Sequence, residues 1–193
     1  LAPFSGLAVA SALSQATGVV PRLGRLACVA AGVLGPGMAT YTAVLLADTA
    51  VPAWHEHYPE LPFLFAGSAL ASAGGAALLF VPARELAPVR TIIAVGAGLE
   101  QAAATRIERS DSIVSEPYRI GRPRKLLRAG RVLTAVGGGL SLLSRRNRVL
   151  SAVAGSALLA GGLCTRFGIF YAGRESARDP KYVVIPQRQS AQR

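Results

Sequence analysis

The feature that most constrains this chain is the alternation of long apolar runs with short charged stretches. A helix needs roughly 20 mostly apolar residues to cross about 30 Å of hydrocarbon while satisfying its own backbone hydrogen bonds. Six runs approach that length, over 3–20, 26–47, 61–81, 87–104, 126–143 and 149–171. The expected fold is an all-α, polytopic transmembrane helix bundle of about six spans over 1–171, in the cell membrane, with a polar C-terminal tail over 172–193. The fourth run carries Glu100 and Gln101, and the fifth is bounded by Arg128, Arg131 and Arg145. Residue 1 already begins an apolar run, so the first span reads as a helix entered partway and the chain as part of a longer protein.

Charge supports the same reading. The chain is 51% hydrophobic yet carries a net charge of +11. Arg22, Arg25, Arg84, Arg90 and the Arg145-Arg146-Asn147-Arg148 cluster all sit where spans would end. Nucleic-acid binding would require basic residues interleaved with aromatics on a polar surface, so the basicity is membrane-flanking charge and no nucleic-acid partner is expected. Cys28 and Cys164 fall inside apolar runs without a CxxC partner, so neither a disulfide framework nor iron–sulfur ligation is supported and both read as small buried hydrophobes. Gly74-Gly75 and Gly137-Gly138-Gly139 predict close helix packing, and Gly35-Pro36-Gly37 predicts a kink in the second span.

Six crossings place the connections on alternating sides. One side, termed face B, then carries the 48–60 loop, the 106–125 loop and the C-terminal tail. Most Lys and Arg lie there, which leans face B toward the cytoplasm. Tyr41, Glu100 and Arg166 fall in spans that end on face B, beside Trp54 and His55. Tyr41 and Asp48 are seven residues apart, nearly the same helix stripe, so that stripe offers a phenol and a carboxylate. A charge in hydrocarbon costs at least ~2.5 kcal/mol, so Glu100 is expected to be protonated, wetted or paired, with Arg166 the depth-matched partner. The competing reading is that both side chains snorkel to the interface and do nothing else.

The stretch GPGMATYTAVLLADTAVPAWHEHYPELPFLFAGSALASAGG resembles the YTGxLL…PxW…LPxxF…SAxxxG block of the NrfD/PsrC (polysulfide reductase-like) family. The ending, TRFGIFYAGRESARDPKYVVIPQR, is similar to the end of many members. These are quinone-interacting membrane subunits of molybdenum and iron–sulfur oxidoreductases. The resemblance implies a fold of approximately eight spans, of which this chain would hold the third onward, and a bound quinone or quinol (menaquinone or ubiquinone). It also implies partnership with an iron–sulfur electron-transfer subunit and a molybdopterin-type catalytic subunit, and no haem or iron–sulfur cluster in this chain. Tyr41 becomes a quinone-contact candidate, with Ala43 in place of the usual glycine and His55-Glu56 in place of the common Asn.

Quinol oxidation releases two protons with two electrons, so a site needs a hydrogen-bonding group, a proton acceptor and an apolar wall. Tyr41, Asp48, Trp54 and His55 are the quinone-binding candidates, and Asp48, His55, Glu100 and Arg166 the proton-transfer candidates. Trp54 also fits an interfacial aromatic belt, and Tyr41 an interhelical hydroxyl bond. Both histidines, His55 and His57, lie in one loop, which argues against haem held between helices; zinc would need Glu56 and Glu60 as well. No residues suggest chemistry on a substrate beyond quinone. Two other functions fit the pattern: a transporter or proton-conducting bundle using Asp48, Glu100 and Arg166, and a purely structural membrane anchor.

Overall fold

The computed structural model describes residues 2–144 and 147–191; Arg145 and Arg146 of the basic cluster lie outside the described residues. The protein is a multi-pass membrane protein, all-α among those residues. Nine α-helices follow in order: α1 (Ala2–Thr17), α2 (Pro21–Ala47), α3 (Pro52–Glu56), α4 (Leu61–Phe80), α5 (Ala87–Arg109), α6 (Glu116–Arg119), α7 (Gly121–Leu143), α8 (Arg148–Arg178) and α9 (Lys181–Ala191). The chain divides into two compact units, Leu1–Thr42 and Ala43–Arg193.

Four helices, α2, α4, α7 and α8, are long and apolar enough to cross a membrane. The expected six spans therefore reduce to four by this measure. At 16 residues, α1 is short for the hydrocarbon thickness. The polar residues of α5 lower its average hydropathy, but several of them turn inward: Glu100 is buried, the Gln101 amide donates to the Arg131 carbonyl at 2.9 Å, and Arg90 Nε donates to the Ser141 carbonyl at 3.0 Å.

In the first unit, α1 ends at Gly18, whose φ of 72° suits glycine, and Ser14 Oγ donates to the Val19 carbonyl at 2.8 Å to close the turn. The helix α2 is continuous through Pro36. Thr40 donates to the Pro36 carbonyl at 3.1 Å, one turn back.

In the second unit, α4, α5, α7 and α8 form an antiparallel four-helix bundle in which each helix packs on two neighbours. Glycine permits the closest approaches. A Cβ on Gly67 would sit 2.5 Å from the Glu100 amide nitrogen and 2.7 Å from the Gly96 carbonyl oxygen. A Cβ on Gly155 would lie 2.5 Å from the Gly75 carbonyl oxygen, and one on Gly161 3.1 Å from the Thr134 nitrogen. Such backbone-to-backbone packing suits a bundle whose exterior faces lipid and gains little by burying more apolar surface. Phe80, Leu143 and Val149 are correspondingly exposed.

Side chains hold the start of α8 and the end of α4. Asn147 Oδ1 accepts from the Leu150 amide at 3.1 Å, capping α8. Arg148 donates to the last carbonyls of α4, those of Leu78, Leu79 and Val81.

Two helices run beyond their apolar runs. The fourth run, expected to stop at 104, continues as helix to Arg109, and the sixth, expected to stop at 171, continues to Arg178. Polar residues end an apolar run without ending a helix. Consequently Glu100 and Arg166 stand near the middle of α5 and α8 rather than near their face B ends. The tail is likewise largely helical, as the end of α8 and as α9.

Candidate functional site

Two places in the second unit gather polar side chains. The first is a clasp that holds α3 against α8 and α6. Pro52 starts α3, where its missing N–H costs nothing. The Ala53 amide donates to Ser176 Oγ at 3.3 Å, and the Ala53 carbonyl accepts from the Tyr118 hydroxyl at 3.0 Å. Trp54 Nε1 donates to the Ile169 carbonyl at 3.0 Å, and its ring occupies the space over Gly173. His57 Nε2 is 2.7 Å from Ser115 Oγ, and its ring meets Tyr118 edge-on with centroids 5.3 Å apart. On the outer side Lys181 Nζ lies 2.9 Å from Glu116 Oε2, which also accepts from the Tyr182 hydroxyl at 3.2 Å. The 48–60 loop, the 106–125 loop and the C-terminal segment, assigned to face B by alternation alone, thus touch one another.

The electrostatics of the clasp follow from burial. His57 is only 3% exposed, and desolvation holds its pKa below the ordinary 6.5 against the opposing pull of Glu60 and Glu56, with Arg119 adding to the decrease. Its 3.6 Å approach to Glu60 is therefore a contact between a carboxylate and a predominantly neutral imidazole near pH 7. Burial also raises the Tyr118 phenol, which remains a hydrogen-bond donor. The Lys181 ammonium lowers the Glu116 carboxyl.

The second place is mid-bundle. Glu100 is 1% exposed, and its Oε1 accepts from the Thr165 hydroxyl at 2.7 Å. Its Oε2, together with the buried hydroxyls of Thr134 and Ser68, has no hydrogen-bond partner. Thr134 faces the same carboxyl. A cavity of about 10 Å³, room for about one water, touches Glu100 and Thr165 and reaches Arg131 and Glu108. Arg131 is tied down there: Nη1 donates to Glu108, Nη2 to Thr105 at 3.0 Å, and Nε to Gln101 at 3.2 Å. The arrangement is a buried carboxyl with one oxygen fixed by Thr165 and a second without a hydrogen-bond partner, beside a small cavity that also touches the half-buried Arg131–Glu108 pair.

The nominated residues divide accordingly. Trp54 is a clasp residue, and His55 Nδ1 lies 3.1 Å from the Ala47 carbonyl. Asp48 is exposed just past α2. Tyr41, in the first unit, is 44% exposed. Arg166, the depth-matched partner nominated for Glu100, is exposed and places its guanidinium 5.3 Å from the Phe65 ring centre; the neighbouring Thr165 supplies the hydrogen bond instead. Consecutive residues of a helix point about 100° apart, so Thr165 faces inward while Arg166 faces out. Thr134, Thr165, Ser68, Arg131 and Glu108 were not nominated. Three hydroxyls near the midpoints of Gly-rich spans were the available signal.

The first unit has an apolar cavity of about 530 Å³ between α1 and α2, walled by Leu7, Leu13, Leu23, Leu26 and their neighbours. Compared with protein-family models, curated proteins and solved structures, the chain matches none.

Proposed function

We propose that this chain is a quinone-interacting membrane subunit of a multi-subunit oxidoreductase of the NrfD/PsrC kind, one that passes electrons between the quinone pool and an iron–sulfur subunit docked on face B. On this reading the protein has about six spans here, α1 and α5 included, of a fold of approximately eight. Tyr41 and Asp48 are the proposed contacts of the quinone headgroup.

One observation carries the reading. The two separated segments that resemble the family are bound to each other, Trp54 to the Ile169 carbonyl at 3.0 Å and Ala53 to Ser176 at 3.3 Å. A sequence block and an ending that pack as one unit are expected to occur together, as they do in the family. The test is a Tyr41→Phe variant of the complete complex. It should assemble normally and lose quinol-linked electron transfer, whereas unchanged turnover removes Tyr41 from the site. Purification with no iron–sulfur partner removes the reading itself.

A second reading, a proton-conducting bundle without quinone, is favoured by the buried Glu100 and its one-water cavity. Proton uptake by sealed vesicles holding the protein alone, abolished by Glu100→Gln, separates it from the first.

A further inference from the structure

Three arginines open onto one cavity at the face B end of the bundle. Arg119 ends α6, while Arg124 and Arg128 lie one turn apart on α7; with Tyr118 and Glu108 they wall a space of about 340 Å³. Arg119 Nε is buried and has no hydrogen-bond partner. Among the described residues, none of the three guanidinium groups makes an ion pair or hydrogen bond. The other polar groups of the wall are already engaged: Glu108 binds Arg131, and the Tyr118 hydroxyl donates away to Ala53. Three guanidinium groups thus share a cavity with no free counter-charge from the protein, an arrangement that an anion completes.

We propose that this cavity binds the phosphate of an anionic lipid headgroup. Guanidinium forks match phosphate oxygens two at a time, and 340 Å³ holds a phosphodiester with its polar substituent. Basic pockets at the ends of spanning helices are where such headgroups lie. The stripe that carries the arginines decides between a lipid and a soluble anion or an acidic protein. Continuing along α7 at the same spacing, Arg124 and Arg128 are followed by Val132 and Val136, 61% and 48% exposed. A charged head region thus runs into an exposed apolar track along a helix suited to span the membrane, as a phospholipid requires. The proposal is independent of the quinone reading.

The experiment uses the full chain, purified from membranes with whatever subunits accompany it and stripped of lipid in neutral detergent. Phosphatidylglycerol, phosphatidylcholine and inorganic phosphate are each added, and bound lipid is read by native mass spectrometry. Phosphatidylglycerol should bind in preference to phosphatidylcholine. Arg119→Gln should weaken it about tenfold, the effect of losing one charge-assisted contact, and Arg119→Gln/Arg124→Gln/Arg128→Gln should abolish it. Arg119→Lys keeps charge and fold but loses the planar fork, and should fall between wild type and Arg119→Gln. A control pair, Arg22→Gln/Arg25→Gln, should bind as wild type. Equal binding of the two lipids, or full retention by the triple variant, overturns the proposal. Displacement of phosphatidylglycerol by inorganic phosphate at equal concentration assigns the cavity to a soluble anion and overturns it as well. So does binding seen only after a copurifying acidic protein is removed.

Discussion

The Thr165 hydroxyl donates a 2.7 Å hydrogen bond to Oε1 of Glu100, while Oε2 of the same carboxyl has no hydrogen-bond partner. One oxygen fixes the side chain and the other is left to exchange with whatever occupies the small cavity beside it. A buried carboxyl held this way keeps its position through a change of protonation, which a carboxyl bonded at both oxygens would not do as readily.

Glu100→Gln should therefore fold almost as well as the wild type. The amide retains an oxygen for Thr165, so the change in stability stays within about 1 kcal/mol. Thr165→Val leaves Oε1 buried and unpaired, and should cost about 1–3 kcal/mol. Thermal unfolding of both variants in detergent checks the order. Equal stability of Thr165→Val and wild type would mean that the Thr165 hydroxyl does not hold the carboxyl.

Close backbone packing gives a paired expectation on one helix pair. Alanine at Gly67 would drive a methyl to 2.5 Å from a backbone nitrogen of α5, and backbone cannot rotate aside. Gly67→Ala should destabilise the protein by about 1–3 kcal/mol, the range of core overpacking. Gly98, on α5, has nothing within 4 Å of the site of a new methyl. Gly98→Ala should be neutral or raise stability by up to about 1 kcal/mol through helix propensity. Melting temperatures that move in the same direction for both variants would contradict the packing account.

The helices themselves were legible because apolar runs of this length leave few alternatives: the run over 61–81 became Leu61–Phe80, and that over 126–143 lies within Gly121–Leu143. The touching of the 48–60, 106–125 and C-terminal segments follows from the paired helices between them, α4 with α5 and α7 with α8. The depth of Glu100 was not legible. Thr105, Arg106, Glu108 and Arg109 end the apolar run at 104, yet all are helical, and Arg131 from α7 reaches Glu108 and Thr105. The partners of Glu100 were also hidden, because threonine hydroxyls scarcely interrupt an apolar run and their facing is set by helix packing. His57 entered only as a haem or zinc question, and its burial against Ser115 depends on a segment 58 residues away.

His57 should give the clasp a pH dependence of known sign. The groups facing it are Glu60 and Glu56, Arg119, Ser115 and Tyr118. Its folded-state pKa lies below 6.5, so the unfolded chain binds the proton more readily. The stability due to neutral His57 is fully present above about pH 6.5 and declines as the pH falls through that value. His57→Gln should flatten this part of the stability profile between pH 7 and pH 5. A profile that keeps its slope in the variant would locate the dependence elsewhere.

The fit of Trp54 on Gly173 has a readout built into the chain, since Trp54 is its only tryptophan. A methyl at Gly173 would come within 2.1 Å of ring carbon Cε2, so Gly173→Ala cannot coexist with the ring in its present seat. The ring must leave, and the bond from Nε1 to the Ile169 carbonyl goes with it. Tryptophan emission should shift to the red, and quenching by acrylamide should rise, as the ring leaves α8. Because α3 is also held by Ser176 and Tyr118 through Ala53, the helix bundle beneath should persist, with helical circular dichroism unchanged. Unaltered emission in Gly173→Ala would mean that the indole does not rest on α8. Loss of helicity together with the red shift would mean that the clasp holds the bundle rather than resting on it.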